Sequence, residues 1–324
     1  MENERFLVTG ALGCIGAWVV RNLIREGVPT AIFDLASDPR RLRLIMSEEE
    51  LARVQMLSGN ISDLTAVEGA LKETGATHVI HLAALQIPFC KADPSLGARV
   101  NVVGTVNVFE AARRAGLRRV VYASSAAVYG ISEEYPEGPL GHDAPLRPQT
   151  HYGVYKQANE GTARVYWKDN GISSIGLRPY VVYGPGRDQG LTSSPTTAML
   201  AATLGHPFQI PFGGSFDLQF ADDVAQAFIR AARAPFDGAD VFNLHGSVVH
   251  IREIVAEIEA AAPAMRGQLR FTDVPLGFPE EMDDTPLLSV LGPLQHTSLT
   301  EGIATTMTTF QQALADGRLA LRLP

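Results

Sequence analysis

The chain has 324 residues, of which 46% are hydrophobic and 19% charged, and carries a formal net charge of −8. That much core material excludes wholesale disorder, and an acidic chain without a basic stripe excludes a nucleic-acid footprint. Cys14 and Cys90 alone make neither a disulfide framework nor a zinc site, so a reduced, metal-free protein is expected.

In chain order, the opening MENERF lacks the pattern of a secretory leader, and no run of about 18 apolar residues is present to span a membrane; a cytoplasmic protein is expected. Apolar runs of strand length follow at 5–9, 30–34, 54–58, 78–84, 119–125 and 173–179. They alternate with segments of helical spacing, such as 62–74, where Leu64, Val67, Ala70 and Leu71 share one face. Alternation of this kind implies right-handed crossovers and a mostly parallel sheet covered on both faces, a doubly wound α/β (Rossmann) fold. Two stretches break the rhythm. Residues 130–150, with four prolines, read as an irregular surface loop, and beyond about 183 the regions rich in Gly, Pro and Thr lose the alternation. A chain of this length exceeds one efficient core. The expected division is therefore a dinucleotide-binding domain over 1–178 and a smaller substrate lobe over 179–324, with about 218–248 returning to the first through a helix at 220–233.

The stretch VTGALGCIG places Gly10, Gly13 and Gly16 three apart between the first strand and a helix starting near Cys14. A helix N-terminus offers unpaired N–H groups and partial positive charge, and glycines let a phosphate come close. Eighteen residues after Gly16, Asp34 ends the second strand, where a carboxylate accepts the two ribose hydroxyls of an adenosine. The same charge repels a 2′-phosphate and no arginine directly follows it, so NAD is expected rather than NADP; Arg40 and Arg41 lie a little further on.

In HYGVYKQANE (151–160), Tyr152 and Lys156 are four apart and share a helix face. A nearby ammonium favours the phenolate, which makes the tyrosine a proton acceptor for a substrate hydroxyl. Tyr155 has Asn159 at that offset instead. YASSAAVYG (122–130) ends a strand at the carboxyl edge of the sheet, where ligands of such folds bind, and Ser125 there can hold a substrate oxygen against the tyrosine.

Taken together, these motifs resemble the extended short-chain dehydrogenases/reductases of the NAD-dependent epimerase/dehydratase family, over nearly the whole chain. VTGALGCIG resembles its glycine turn, with Cys14 and Ile15 inside it. GNISD brings Ile61 and Asp63 to the adenine, HLAA brings Leu82, Ala83 and Ala84 beside the cofactor, and NVVGTVNV (101–108) resembles the family's fourth-helix motif. The resemblance implies Ser125, Tyr152 and Lys156 as the catalytic set, with Tyr152 and Lys156 also at the cofactor, and Tyr180 and Val182 of LRPYVVYGPGR near it. It further implies a homodimer formed by the catalytic helix and a helix at 94–115.

Family members that take nucleotide sugars hold the diphosphate with an Asn and two Arg residues. At the first two places stand Val181 and Phe216, and the third falls in the acidic FPEEMDDT (278–285). A diphosphate would lack its charge-assisted partners. The first reading is therefore an NAD-dependent dehydrogenase of a small non-nucleotide hydroxyl compound, a sugar, sugar acid or polyol. The alternative is a sugar or nucleotide-sugar epimerase working through a transient ketone. Dehydration is disfavoured because Ala126 and Ala127 stand where dehydratases carry acids, and an intact Ser, Tyr and Lys set argues against a non-catalytic scaffold. Gln86, Ala126, Tyr180, Arg187, Thr192 and His81 belong to segments that border the substrate cleft, and the Arg187 guanidinium suits a carboxylate.

Overall fold

The structure is a computed structural model that describes residues 4–319, so half of the charged opening MENERF lies outside the described residues. Its strands are β1 (Phe6–Thr9), β2 (Thr30–Asp34), β3 (Gln55–Ser58), β4 (His78–His81), β5 (Arg119–Ala123), β6 (Ser173–Arg178), β7 (Val181–Tyr183), β8 (Phe208–Ile210), β9 (Ser215–Phe220), β10 (Ala239–Asn243), β11 (Ser247–His250) and β12 (Leu269–Phe271). The helices are α1 (Cys14–Arg25), α2 (Arg40–Ile45), α3 (Glu48–Leu51), α4 (Leu64–Thr74), α5 (Ile87–Ala92), α6 (Pro94–Ala98), α7 (Gly104–Arg114), α8 (His151–Asn170), α9 (Ser194–Leu204), α10 (Ala221–Arg233), α11 (Ile251–Ala261), α12 (Thr285–Leu291) and α13 (Leu299–Ala315).

Seven parallel strands form one sheet in the order β10-β6-β5-β4-β1-β2-β3. Its central strands are apolar on both faces because helices cover both. Val8, Ile32, Ile80 and Val121 face a core shared with α1 and α10, while Leu7, Phe33, Val79 and Val120 face one shared with α4 and α7. The strand order reverses between β1 and β4, the crevice where doubly wound folds bind ligands. β7, β9 and β11 build a separate three-stranded sheet, in which β7 runs parallel and β11 antiparallel to β9. The chain returns from it through α10 to β10, the edge strand beside β6.

Local chemistry sets the ends of the site-bearing elements. Asp63 caps α4 by accepting from Thr65 N (2.9 Å) and Ala66 N (3.4 Å). Thr150 caps α8 by accepting from Gly153 N at 3.0 Å, and Gly171 closes that helix in the left-handed conformation, φ 66°.

Two expectations need correction. The single helix at 94–115 is interrupted by a π-helical turn over Arg99–Val103. Asn101 inside that turn accepts from Leu85 N (2.7 Å) and donates to Leu85 O (2.9 Å), so its side chain pins the loop after β4; a widened turn accommodates the residue that serves this loop rather than the helix. The 130–150 stretch is more than a surface loop. Leu140 is buried, donates its N–H to Glu281 O and accepts from Asp283 N, both at 2.9 Å, which fastens the acidic 278–285 stretch to the 130–150 stretch.

Candidate active site

The glycine turn lies at the crevice. Gly10 has φ 67°, and a Cβ there would meet Ala83 N at 2.5 Å, so only glycine lets the β1–α1 turn pass this close to the segment after β4. No side chain caps α1, which leaves its first N–H groups and the positive end of its dipole to a ligand. Asp34 stands beside them, its Oδ2 accepting from Leu12 N and its Oδ1 from Ala36 N, both at 3.0 Å. This fixes the carboxylate while leaving lone pairs for hydroxyl donors. An uncapped helix, a glycine approach and an anchored acid fit an NAD diphosphate and adenosine. Arg40 and Arg41 are engaged elsewhere: both reach Asp188, at 3.1 and 2.5 Å, and Arg41 also donates to Leu12 O at 2.8 Å. Cys14 and Ile15 pack partly against the main core, and burial pushes the Cys14 thiol up to about 11, which makes it inert.

The other residues expected at the cofactor surround this turn or lie at the next strands. Leu82 N donates to Thr9 O at 3.0 Å, and Ala83 and Ala84 continue past Gly10 half-buried. Ile61 is buried against Gly104, while Asp63 is exposed at the α4 cap. Val182 is buried in β7, paired with Gln219.

Ser125, Tyr152 and Lys156 converge. Ser125 stands two residues past the end of β5, accepts from Ala127 N at 3.2 Å and pulls the Tyr152 phenol down. Gly153 permits this, because a Cβ there would collide with Ala127 O and hold α8 off the serine strand. Lys156 is buried, donates to Ala123 O at 2.6 Å and stands 5.6 Å from the centroid of the Tyr152 ring. Burial lowers the Lys156 ammonium to about 8. The Tyr152 phenol is raised, chiefly by burial, while the Ser125 hydrogen bond and the Arg187 charge pull it down. Lowering of the phenol by Lys156, expected from the sequence, is not what governs it in the protein alone.

Beneath the triad lies a buried polar network that the sequence did not announce. Glu160 and Arg178 form an ion pair at 2.8 Å with side chains 0% and 4% exposed. Ser124 donates to Glu160 Oε1 at 2.5 Å, and Arg178 also donates to the Tyr129 hydroxyl and to His142 O, both at 2.6 Å. It locks α8 onto β5 and β6, and so fixes where Tyr152 meets Ser125. The available signal was two opposite charges inside otherwise catalytic motifs, and nothing in their spacing shows that they meet.

Of the substrate candidates, Arg187 donates to Thr192 Oγ1 at 2.8 Å and its Nε is buried without a partner. Gln86 reaches the same corner, its Oε1 lying 2.9 Å from where a Cβ on Gly190 would stand. Ala126 is buried, and Tyr180 packs edge-on to Phe278 at 6.4 Å. His81 does not border the cleft as a free side chain. It is held between Thr9 Oγ1 (2.7 Å) and Thr105 Oγ1 (3.1 Å), and burial lowers it to about 3, so it is a neutral core group. A cavity of about 340 Å³ opens between His78, Arg118 and Ala232, at the amino ends of β4 and β5 and away from these residues. Among the described residues no cluster of three metal-ligating side chains occurs, and no helix is long and apolar enough to cross a membrane.

A seven-stranded doubly wound sheet with this glycine turn and a Ser, Tyr and Lys cluster defines a nucleotide-dependent enzyme of the short-chain dehydrogenase type. Residues 6–244 match the model of the NAD dependent epimerase/dehydratase family, and the chain belongs to that family, whose cofactor is NAD. It is 33% identical, over 95% of its length and 98% of that protein, to a UDP-glucose 4-epimerase of Mycolicibacterium smegmatis. The structure of a UDP-glucose 4-epimerase of Thermus thermophilus in complex with NAD superposes with TM-score 0.80 at 28% identity, covering 95% of this chain and 99% of that one. An L-threonine dehydrogenase of Cupriavidus necator shares the fold, with TM-score 0.81 at 23% identity over 94% of this chain and 99% of that one.

Proposed function

We propose that the protein is a sugar epimerase that oxidises a secondary hydroxyl to a transient ketone and returns the hydride to the opposite face. The observation that carries the chemistry is the buried Lys156, held by Ala123 O at 2.6 Å and 5.6 Å from the centroid of the Tyr152 ring, with Ser125 acting on the same phenol. The 33% identity to a UDP-glucose 4-epimerase supports the epimerase over the dehydrogenase that the sequence put first.

NAD bound at the glycine turn supplies the hydride acceptor. Tyr152 takes the hydroxyl proton, and Ser125 holds the oxygen in line with it. Lys156, fixed by Ala123 O, holds positive charge beside the ring and favours the phenolate that accepts this proton, and the Arg187 charge acts in the same direction. When hydride and proton return, the same groups act in reverse, so no net oxidation accumulates. Holding reactants in this geometry is the protein's main contribution.

A dehydrogenase of a small hydroxyl compound is the second reading, favoured by one observation: Val181 and Phe216, at the expected diphosphate contacts, are wholly buried apolar residues. Incubating the NAD-loaded enzyme with candidate sugars and following both proton NMR and NADH absorbance separates the two. Inversion without NADH supports the epimerase, and stoichiometric NADH with a released ketone supports the dehydrogenase. Calorimetry should show NAD binding much more tightly than NADP, and equal affinities would remove the selecting role of Asp34. A homodimer is proposed through α6, the π-helical turn and α8, where Leu96, Val103, Val154 and Val165 are exposed apolar side chains; sedimentation as a monomer at micromolar concentration would refute it.

A further inference from the structure

The loop that follows β7 carries a guanidinium without a counter-charge. Arg187 is half-buried, and Thr192 Oγ1, at 2.8 Å, is the sole acceptor of its guanidinium among the described residues; Nε is buried without a partner, and Nη1 donates to no protein group. The neighbouring carboxylate does not serve it. Asp188 is taken by Arg41, through Nε at 3.0 Å and Nη2 at 2.5 Å, and by Arg40 at 3.1 Å. A partly buried cation with unused donors is costly, and an anion is what completes it.

The groups around it add further donors. Gly190 brings its backbone between Arg187 and Gln86: a Cβ there would stand 3.8 Å from Arg187 Nη2 and 2.9 Å from Gln86 Oε1, and its φ of 85° favours glycine. The Gln86 side chain makes no hydrogen bond among the described residues, so its amide N–H groups are open to a ligand. The Thr192 hydroxyl, having accepted from Arg187, keeps its own proton to donate. Both loops are held from behind. Asn101 donates to Leu85 O at 2.9 Å and accepts from Leu85 N at 2.7 Å, which fixes the residue before Gln86. Trp18 Nε1 donates to Pro185 O at 3.0 Å, and together with the Arg41 and Asp188 pair this ties the Arg187 loop to α1 and α2. Donors fixed before a ligand arrives fit a planar oxyanion taken by the fork of the guanidinium.

The segment after β4 passes Gly10 at Ala83 and then reaches Gln86, so this corner belongs to the crevice, and the Arg187 charge is felt by the Tyr152 phenol there. We propose that Arg187, Gln86 and Thr192 seat a carboxylate of the substrate, so that the sugar turned over is a sugar acid. This deepens the epimerase reading and rests on Tyr152 handling the proton. A carboxylate in the seat offsets part of the Arg187 charge, which leaves Lys156 to support the phenolate. Free sugar acids and nucleotide-linked ones present the same group to Arg187.

The test is calorimetry on the full NAD-loaded chain with two matched pairs, D-glucuronate against D-glucose and UDP-glucuronate against UDP-glucose. In at least one pair the acid should bind roughly tenfold to a hundredfold more tightly than its counterpart, as a charge-assisted contact provides. Which pair shows the preference tells a free acid from a nucleotide-linked one. Arg187→Met should abolish the preference, and should raise KM for the acid more than it lowers kcat. Gln86→Leu should weaken the acid by roughly a few-fold, and this variant decides the outcome if Arg187→Met does not fold. Equal affinities within both pairs overturn the proposal, as does a preference that survives both substitutions. A comparable loss of NAD affinity in Arg187→Met also overturns it, since Arg187 would then serve the cofactor diphosphate. Inversion is read separately by proton NMR: Arg187-dependent binding of an acid without inversion defeats the epimerase and leaves the carboxylate seat standing.

Discussion

The crevice around the glycine turn and the region where β7 and β9 meet the 278–285 stretch are built to opposite designs. In the first, polar groups stand open or hydrogen-bonded toward a ligand: the uncapped N-terminus of α1, the anchored Asp34 and the Ser125 and Tyr152 pair. In the second, Val181 and Phe216 are packed into the core, and Asp217 is buried and already engaged by Gly246 N, Gln219 and His245. On the proposed function, such a difference teaches that hydride chemistry and substrate recognition are separable on this fold. The first depends on a few groups fixed by β1, β5 and α8. The second depends on side chains that can change without disturbing those elements.

The comparison is broken most forcefully at Tyr152. Tyr152→Phe should lower kcat by roughly 10²- to 10⁴-fold while NAD affinity, measured by calorimetry, stays within a few-fold. A near-normal rate would mean that the chemistry does not reside in the first region.

Next in size is the network beneath it. Glu160→Gln leaves Arg178 as a buried charge without its partner, and the expected loss is about 3–5 kcal/mol of unfolding free energy in denaturant titration. A loss below about 1 kcal/mol would show that Tyr129 and His142 O suffice to hold Arg178 and that α8 is positioned otherwise.

His81 sharpens the contrast between buried structural groups and open functional ones. Its folded pKa of about 3 lies below the unfolded value, so the unfolded chain binds more protons as pH falls through the range from about 6.5 to 3. Stability should therefore fall on acidification in that window, with a His81 component approaching about 1.4 kcal/mol per pH unit. A His81→Gln variant should show a shallower acid slope than the wild type; an unchanged slope would mean that the imidazole is not shut away between Thr9 and Thr105.

The smallest effect belongs to the surface link between the two regions. Arg40 pairs with Asp188 at 3.1 Å with 57% of its side chain exposed, so Arg40→Ala should change stability by less than about 1 kcal/mol and leave NAD affinity nearly unaltered. A large loss of NAD affinity would make Arg40 part of the cofactor site.

Much of this was legible in the sequence for a physical reason. The six strands named from 5–9 to 173–179 are local: period, apolar content and turn residues specify them, and all six occur within a residue or a few of their expected ends. The glycine turn, Asp34, and the four-residue offset of Tyr152 and Lys156 are likewise local patterns, whose meaning is set by backbone geometry. The apolar character of Val181 and Phe216, where the resemblance expects polar contacts, was also readable, because an apolar residue cannot supply charge wherever it points.

What the tertiary structure alone decided involves groups far apart in the chain. Glu160 meets Arg178 and Ser124, Asn101 opens a π-helical turn to hold Leu85, and Leu140 carries the 278–285 stretch into place. His81 looked like a cleft residue from its motif, and only the positions of Thr9 and Thr105 make it a neutral core group. Asp217, His245 and the lone hydroxyl of Tyr180 belong to three separate segments, brought together by the pairing of β7, β9 and β11. Sequence patterns report which face a residue takes within its own element. Partners of a buried charge depend on how elements pack, and packing is set by the whole core rather than by any short stretch.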